Sequence, residues 1–161
     1  MTHMEFIIGF DLALLLHWNN DLLAGMDLDW ARNVRSASVG QGVDTEWGQM
    51  LGEQLKALER HREPAWPVPP LDRKDVTDFA WRVLETLRRE VPFGKVVSYG
   101  DLAAKAGSPL AARAVGSVMA HNRWPLIFPC HRVVGSDGSL TGFGSGLPMK
   151  EHLLRLEGAL D

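Results

Sequence analysis

The chain has 161 residues, 45% hydrophobic and 23% charged, with a formal net charge of −3. That composition is one ordinary domain or two small ones with ample core formers, and it excludes a disordered chain. A single cysteine excludes an internal disulfide framework, a CxxC redox pair and a cysteine-rich zinc site.

Charge is unevenly spread. Residues 1–71 hold five Lys or Arg against ten Asp or Glu, whereas residues 72–161 hold twelve against ten. From Lys95 to Arg132 there are five cations and one acid, Asp101, so this segment is the candidate binder of a polyanion such as DNA. Scattered solubilising cations would look similar.

In chain order, Phe6 to Trp18 is a long apolar run interrupted by Asp11. It is shorter than the about 20 residues of a bilayer span and lacks the basic leader of a signal peptide, so a cytoplasmic location is expected, with no membrane partner. Asn19-Asn20-Asp21 separates this run from Leu22 to Trp30, and the three turn formers predict a hairpin, although leucine-rich stretches also suit helices. Residues 32–45 read as a loop. Glu46 to Arg62 places Trp47, Met50, Leu51, Leu55 and Leu58 at helical spacing. Pro64, Pro67, Pro69 and Pro70 cannot continue that helix, which puts a domain boundary there: residues 1–70 and 71–161.

Asp75 to Glu90 restores a helical period, stopped by Val91-Pro92-Phe93-Gly94. Ser98 and Asp101 have the spacing of a capping box, and Gly107 suits a helix C-terminus. Ser108-Pro109 predicts a restart as N-cap and first helical residue, giving a second helix over Leu110 to Ala120. Two short helices around a tight turn form a helix-turn-helix. The second is mostly Ala, Gly, Ser and Val with one charge, Arg113, and small side chains serve either a close approach to a groove or helix packing.

The apolar run Pro125 to Phe128 leads into Pro129-Cys130-His131-Arg132-Val133. A thiol of pKa about 8.5 is mostly protonated at neutral pH, so an attacking cysteine needs a base, and a carboxylate behind that base would orient it. His131 is adjacent; Asp137, Glu151 and Glu157 are the candidate carboxylates. In the helix expected over Pro148 to Leu160, Glu157 lies among Leu153, Leu154 and Leu156, while Lys150, Glu151 and Arg155 occupy the open face. An inert buried cysteine remains the bland alternative. The Gly-rich stretch 135–146 lacks dinucleotide and P-loop spacing, and no HxE pairs with a PCxxC as in zinc deaminases.

With these residues in view, the segment from about Asp75 to Gly158 resembles the methylated-DNA-protein-cysteine methyltransferases, the 6-O-alkylguanine-DNA alkyltransferases. The matching text is Val91-Pro92-Phe93-Gly94-Lys95-Val96-Val97-Ser98-Tyr99-Gly100-Asp101-Leu102-Ala103, Ala112-Arg113-Ala114-Val115-Gly116, Asn122, Pro129 to Gly135, and Lys150-Glu151 through Leu153-Leu154 to Glu157-Gly158. The resemblance implies an α+β fold: a small ribonuclease H-like sheet-and-helix domain, then a mainly helical domain with a winged-helix-like helix-turn-helix. It implies single-turnover alkyl transfer from 6-O-alkylguanine in double-stranded DNA to Cys130, with the base flipped and the minor groove contacted.

By the same resemblance, His131 takes the thiol proton through a water, Glu157 holds His131, and Asn122 braces the cysteine segment. Tyr99 donates to the guanine ring and touches phosphate, Arg113 fills the vacated stack, and Ser136 contacts DNA. Cys130 and Val133 with Phe143, Gly144 and Ser145 line the base pocket. No cofactor is required, because the protein is the acceptor, and a monomer is expected. Some relatives hold zinc in the first domain; here His3, His17 and His61 are scattered, and no metal is expected. Position 143 is Phe where relatives often have Tyr, and Gly144 replaces a residue that can be Ser. The competing readings are a non-catalytic lesion binder of the alkyltransferase-like type, which lacks the cysteine, and a helix-turn-helix regulator, which the Ala/Gly-rich second helix fits poorly.

Overall fold

The computed structural model describes residues 1–37 and 42–161. The chain forms two compact units, Met1–Arg73 and Lys74–Asp161. Together they make a mixed α/β protein, with a small antiparallel sheet and six α-helices among the described residues.

The first unit is built on strands β1 (Thr2–Ile8), β2 (Leu12–Asn19) and β3 (Leu22–Trp30), antiparallel in the order β1-β2-β3. The expected hairpin is β2–β3, turned at Asn20, whose φ of 54° is one that asparagine tolerates. Phe6 to Trp18 is not one segment: it breaks at Gly9–Asp11 into two strands. The carboxylate of Glu59 accepts the amides of Phe10 and Asp11 at 2.9 and 2.6 Å there, and a Cβ at Gly9 would collide with it.

The expected loop over 32–45 is partly helix, α1 (Ala31–Ala37); its residues 38–41 lie outside the described residues. Helix α2 (Glu46–Glu59) is capped by Thr45, whose hydroxyl accepts from Gly48 N. It buries Leu51, Leu55 and Leu58 but leaves Met50 exposed, a narrower stripe than its spacing suggested.

In the second unit α3 (Asp78–Glu90) starts three residues later than expected, because Asp75 takes a positive φ and Thr77 supplies the cap. Strand β4 (Val97–Ser98) runs into α4 (Tyr99–Lys105), where the Ser98 hydroxyl accepts from Asp101 N at 3.0 Å. Gly107, at φ 85°, ends that helix as expected. The second helix of the pair, α5 (Ala112–Ala120), does not begin at Ser108-Pro109. Those residues form a turn, with Ala111 N bonded to Ser108 O; the Ser108 hydroxyl accepts from Arg82 instead of capping.

A short 3-10 turn at Cys130–Arg132 leads into β5 (Val133–Val134), which pairs in parallel with β4: Val97 with Val133, Ser98 with Val134. Helix α6 (Leu147–Leu156) stops earlier than expected, with Glu157 as its cap and Gly158 at φ 74°. Val83, Leu87, Val97, Leu102, Val115 and Val133 form one core with Cys130 among them. Among the described residues, no helix is long and apolar enough to cross a membrane.

Candidate active site

Cys130 follows a buried, cross-braced approach. Trp81, Trp124 and Phe128 meet edge to face, with centroids 5.5–6.4 Å apart. Asn122 ties the loop from both ends of its amide: its oxygen accepts from Trp124 N at 3.0 Å, and its nitrogen donates to Phe128 O at 3.0 Å. Pro129, at φ −78° and ψ 68°, sits in the inverse γ-turn well, and Cys130 N closes that turn on Phe128 O at 2.7 Å. Proline presets the φ that this turn needs, so the thiol arrives in one orientation.

Cys130 is buried, with 7% of the residue exposed. Burial pushes its pKa up, and a hydrogen bond with the Asn122 side chain and the Lys150 charge pull the other way without cancelling it. The resting sulfur is therefore a protonated thiol. A thiolate can form only together with a proton acceptor.

The next residue in the chain, His131, is the candidate acceptor. Glu157 Oε2 accepts from His131 Nε2 at 2.9 Å, and Arg132 grips both carboxylate oxygens at 2.8 and 2.9 Å while donating to Val91 O. Burial would raise the Glu157 carboxyl, but His131 and Arg132 outweigh it and hold the pKa at about 2. Burial keeps His131 neutral, against the pull of Glu157. An ionised carboxylate only accepts, so Nε2 carries the imidazole hydrogen and Nδ1 is left as the basic lone pair. Nδ1 is buried and has no hydrogen-bond partner.

The β4–β5 pairing sets Val97 beside Val133 and Ser98 beside Val134, and Tyr99 follows directly as the first residue of α4. The Tyr99 hydroxyl donates to Thr141 O at 3.3 Å, and its ring packs with Phe143 against the core that holds Cys130. Val133 is buried, Ser145 is partly buried and Gly144 is exposed. Arg113 and Ser136 are both exposed, and Arg113 has no hydrogen-bond or ion-pair partner among the described residues.

Of the candidate carboxylates, Asp137 is occupied by Ser139 and Glu151 by Arg155, which leaves Glu157 with His131. Lys150 is not on the open face: it is fully buried. Its position i−3 from Leu153, i−4 from Leu154 and i−7 from Glu157 places it on their stripe, and that periodicity could have revealed it. The Arg132 grip on Glu157 was equally unforeseen. In the first unit His3, Glu5 and Asp44 come within 4.8 Å of one another at their possible ligand atoms. The Glu5 carboxylate there already accepts from Trp18 Nε1, both backbone amides of Asp44 and Thr45, and the Thr45 hydroxyl, so it is poorly placed to serve a metal.

A family model described as 6-O-methylguanine DNA methyltransferase, DNA binding domain, matches residues 78–159. The human methylated-DNA–protein-cysteine methyltransferase is 43% identical over 114 residues, covering 71% of this chain and 54% of that protein. The chain spans about half the length of the curated relatives it matches. Among solved structures, the Mycobacterium tuberculosis O6-methylguanine methyltransferase superposes with a TM-score of 0.76 at 33% identity, covering 99% of this chain and 94% of that one. The M. tuberculosis protein solved in complex with DNA gives 0.75 at 33% identity, covering 98% and 93%.

Proposed function

Because the chain belongs to the 6-O-methylguanine DNA methyltransferase family, we propose that it repairs DNA by moving an alkyl group from the oxygen of 6-O-alkylguanine to Cys130, once per molecule. The observation that carries this reading is the chain's one cysteine, beside an imidazole whose Nε2 is committed to an ionised carboxylate and whose Nδ1 is unpartnered.

In the proposed reaction the Cys130 proton passes through a water to His131 Nδ1, and the Glu157 carboxylate stabilises the imidazolium. Sulfur bonds to the alkyl carbon as the carbon–oxygen bond breaks, and the electron pair leaves with guanine. Tyr99 hydrogen-bonds that leaving group, lowering its developing charge. The thioether has no easy exit, which makes the protein a stoichiometric reagent with no need of a cofactor.

The alkyl carbon is hidden inside the duplex, so the nucleotide must swing out at a cost of a few kcal/mol. Exposed, unpaired Arg113 is free to enter the vacated stack, and α5 presents small residues that allow close approach to the minor groove. We read α4 and α5 as a helix-turn-helix and the turn after β5, with Ser136, as a wing that touches phosphate. The first unit corresponds in this reading to the ribonuclease H-like domain, and the protein works as a cytoplasmic monomer on DNA.

The test is intact mass after incubation with duplex DNA bearing 6-O-methylguanine. One methyl group per chain is expected, and none in Cys130→Ala. Duplex binding with no gain of mass would transfer the assignment to a non-catalytic lesion binder.

A further inference from the structure

Lys150 is a buried cation that the reaction above does not use. Its ammonium donates to Val133 O at 2.6 Å, Thr141 O at 2.7 Å and Gly142 O at 3.3 Å, which employs all three of its hydrogens on backbone carbonyls. No carboxylate lies within ion-pair distance of it among the described residues. A buried ammonium without a counter-ion carries a large desolvation penalty, and a methionine would fill a similar volume without one. Packing alone does not explain a lysine here.

The three carbonyls belong to distinct parts of the site. Val133 opens the strand that follows Cys130, and Thr141 and Gly142 lead into Phe143, whose ring packs on the same core as the thiol. The Thr141 carbonyl also accepts from the Tyr99 hydroxyl. One ammonium thus fastens the segment after the cysteine to the loop before Phe143 and, through a shared carbonyl, to Tyr99. Its charge also acts on the sulfur: Lys150 lowers the Cys130 pKa, and burial brings the Lys150 pKa down to about 8 even though Cys130 pulls it up.

Resting on the reading of Cys130 as the acceptor, we propose that Lys150 is a positioning residue for alkyl transfer: it stabilises the developing Cys130 thiolate and holds the 141–143 loop and Tyr99 against the pocket. The titratable groups facing this region are Cys130 and His131 on the 3-10 turn, Tyr99 on α4, and Glu157 beyond His131. Among the influences on His131, that of Lys150 is the weakest, and Glu157 opposes it.

The test compares the full-length protein with Lys150→Met, which deletes charge and donors, and Lys150→Gln, which deletes the charge but keeps a neutral donor. Three quantities are read: thiol pKa from thiolate ultraviolet absorbance, rate of reaction with free 6-O-benzylguanine against pH, and urea midpoint. Both variants should raise the thiol pKa by about one, cutting neutral-pH reaction about tenfold, with the loss shrinking as pH rises. An unchanged thiol pKa in a folded variant overturns the proposal, including where the rate falls only in step with the urea midpoint. Lys150→Gln decides the matter if Lys150→Met does not fold. If the unsubstituted protein gains no alkyl mass, the reading of Cys130 fails separately, and the thiol pKa comparison still tests the lysine.

Discussion

Arg132 and Glu157 face each other through two nearly parallel hydrogen bonds of 2.8 and 2.9 Å, and the carboxylate oxygen at the end of the second also accepts from His131. Adjacent residues of the chain thus hold one carboxylate in common. Arg132 fixes its plane, and the plane fixes the imidazole.

Arg132→Ala should accordingly lose stability and activity together. Removing one partner of a buried pair leaves the other uncompensated, at a cost of about 3–5 kcal/mol. Arg132→Lys can meet only one oxygen at a time, so it should recover part of the stability but little of the rate. Chemical unfolding and single-turnover alkylation measure the two. A folded Arg132→Ala variant that alkylates at the original rate would show that His131 is oriented without it.

Acid should unfold the protein in two stages, because both buried groups bind fewer protons folded than unfolded. The folded pKa of His131 lies below its ordinary 6.5, so its contribution is complete above that value and is lost as the pH falls. Glu157, ordinarily 4.5 and here about 2, contributes above about 4.5 and loses that contribution as the pH falls toward 2, on the order of 3 kcal/mol in all. Glu5, whose hydrogen bonds hold it below its ordinary value against its burial, adds to the stability lost in acid. Urea midpoints across a pH series should therefore fall less steeply between about 4.5 and 2 in Glu157→Gln, without becoming flat. An identical slope in the variant would mean that Glu157 is not held ionised.

The legible parts of this molecule were those governed by local chemistry. The caps at Ser98 and Gly107, the end of α2 ahead of the prolines and the apolar delivery of Cys130 all follow from a few consecutive residues, and the structure has them. What escaped depends on partners distant in sequence. The turn at Gly9–Asp11 needs Glu59, almost 50 residues away, to satisfy its amides, and Ser108 is drawn off its capping role by Arg82. Lys150 is not legible as a buried residue because a cation is expected in water, and its three acceptors come together only where β5 and the 141–142 loop meet.

Arg113 should separate binding from chemistry. It is exposed and has no hydrogen-bond or ion-pair partner among the described residues, so Arg113→Ala should change stability by less than about 0.5 kcal/mol. Reaction with methylated duplex should fall sharply, because the gap left by an extruded nucleotide goes unfilled, whereas reaction with free 6-O-benzylguanine needs no flipping and should persist. Equal losses on both substrates would remove Arg113 from the flipping step.

Gly116 poses a similar question in the middle of α5. A Cβ there would meet only the Tyr99 ring, at 3.9 Å, which is ordinary contact, so packing does not require glycine. Glycine inside a helix is nonetheless unfavourable by roughly 0.5–1 kcal/mol relative to alanine. Gly116→Ala should therefore raise stability by up to about that amount. If the bare backbone exists to let the helix approach DNA, the same variant should bind duplex more weakly while its reaction with the free base is unchanged. Higher stability with undiminished duplex affinity would show that nothing passes close to Gly116, and the helix face in contact with DNA would then have to be sought on another side of α5.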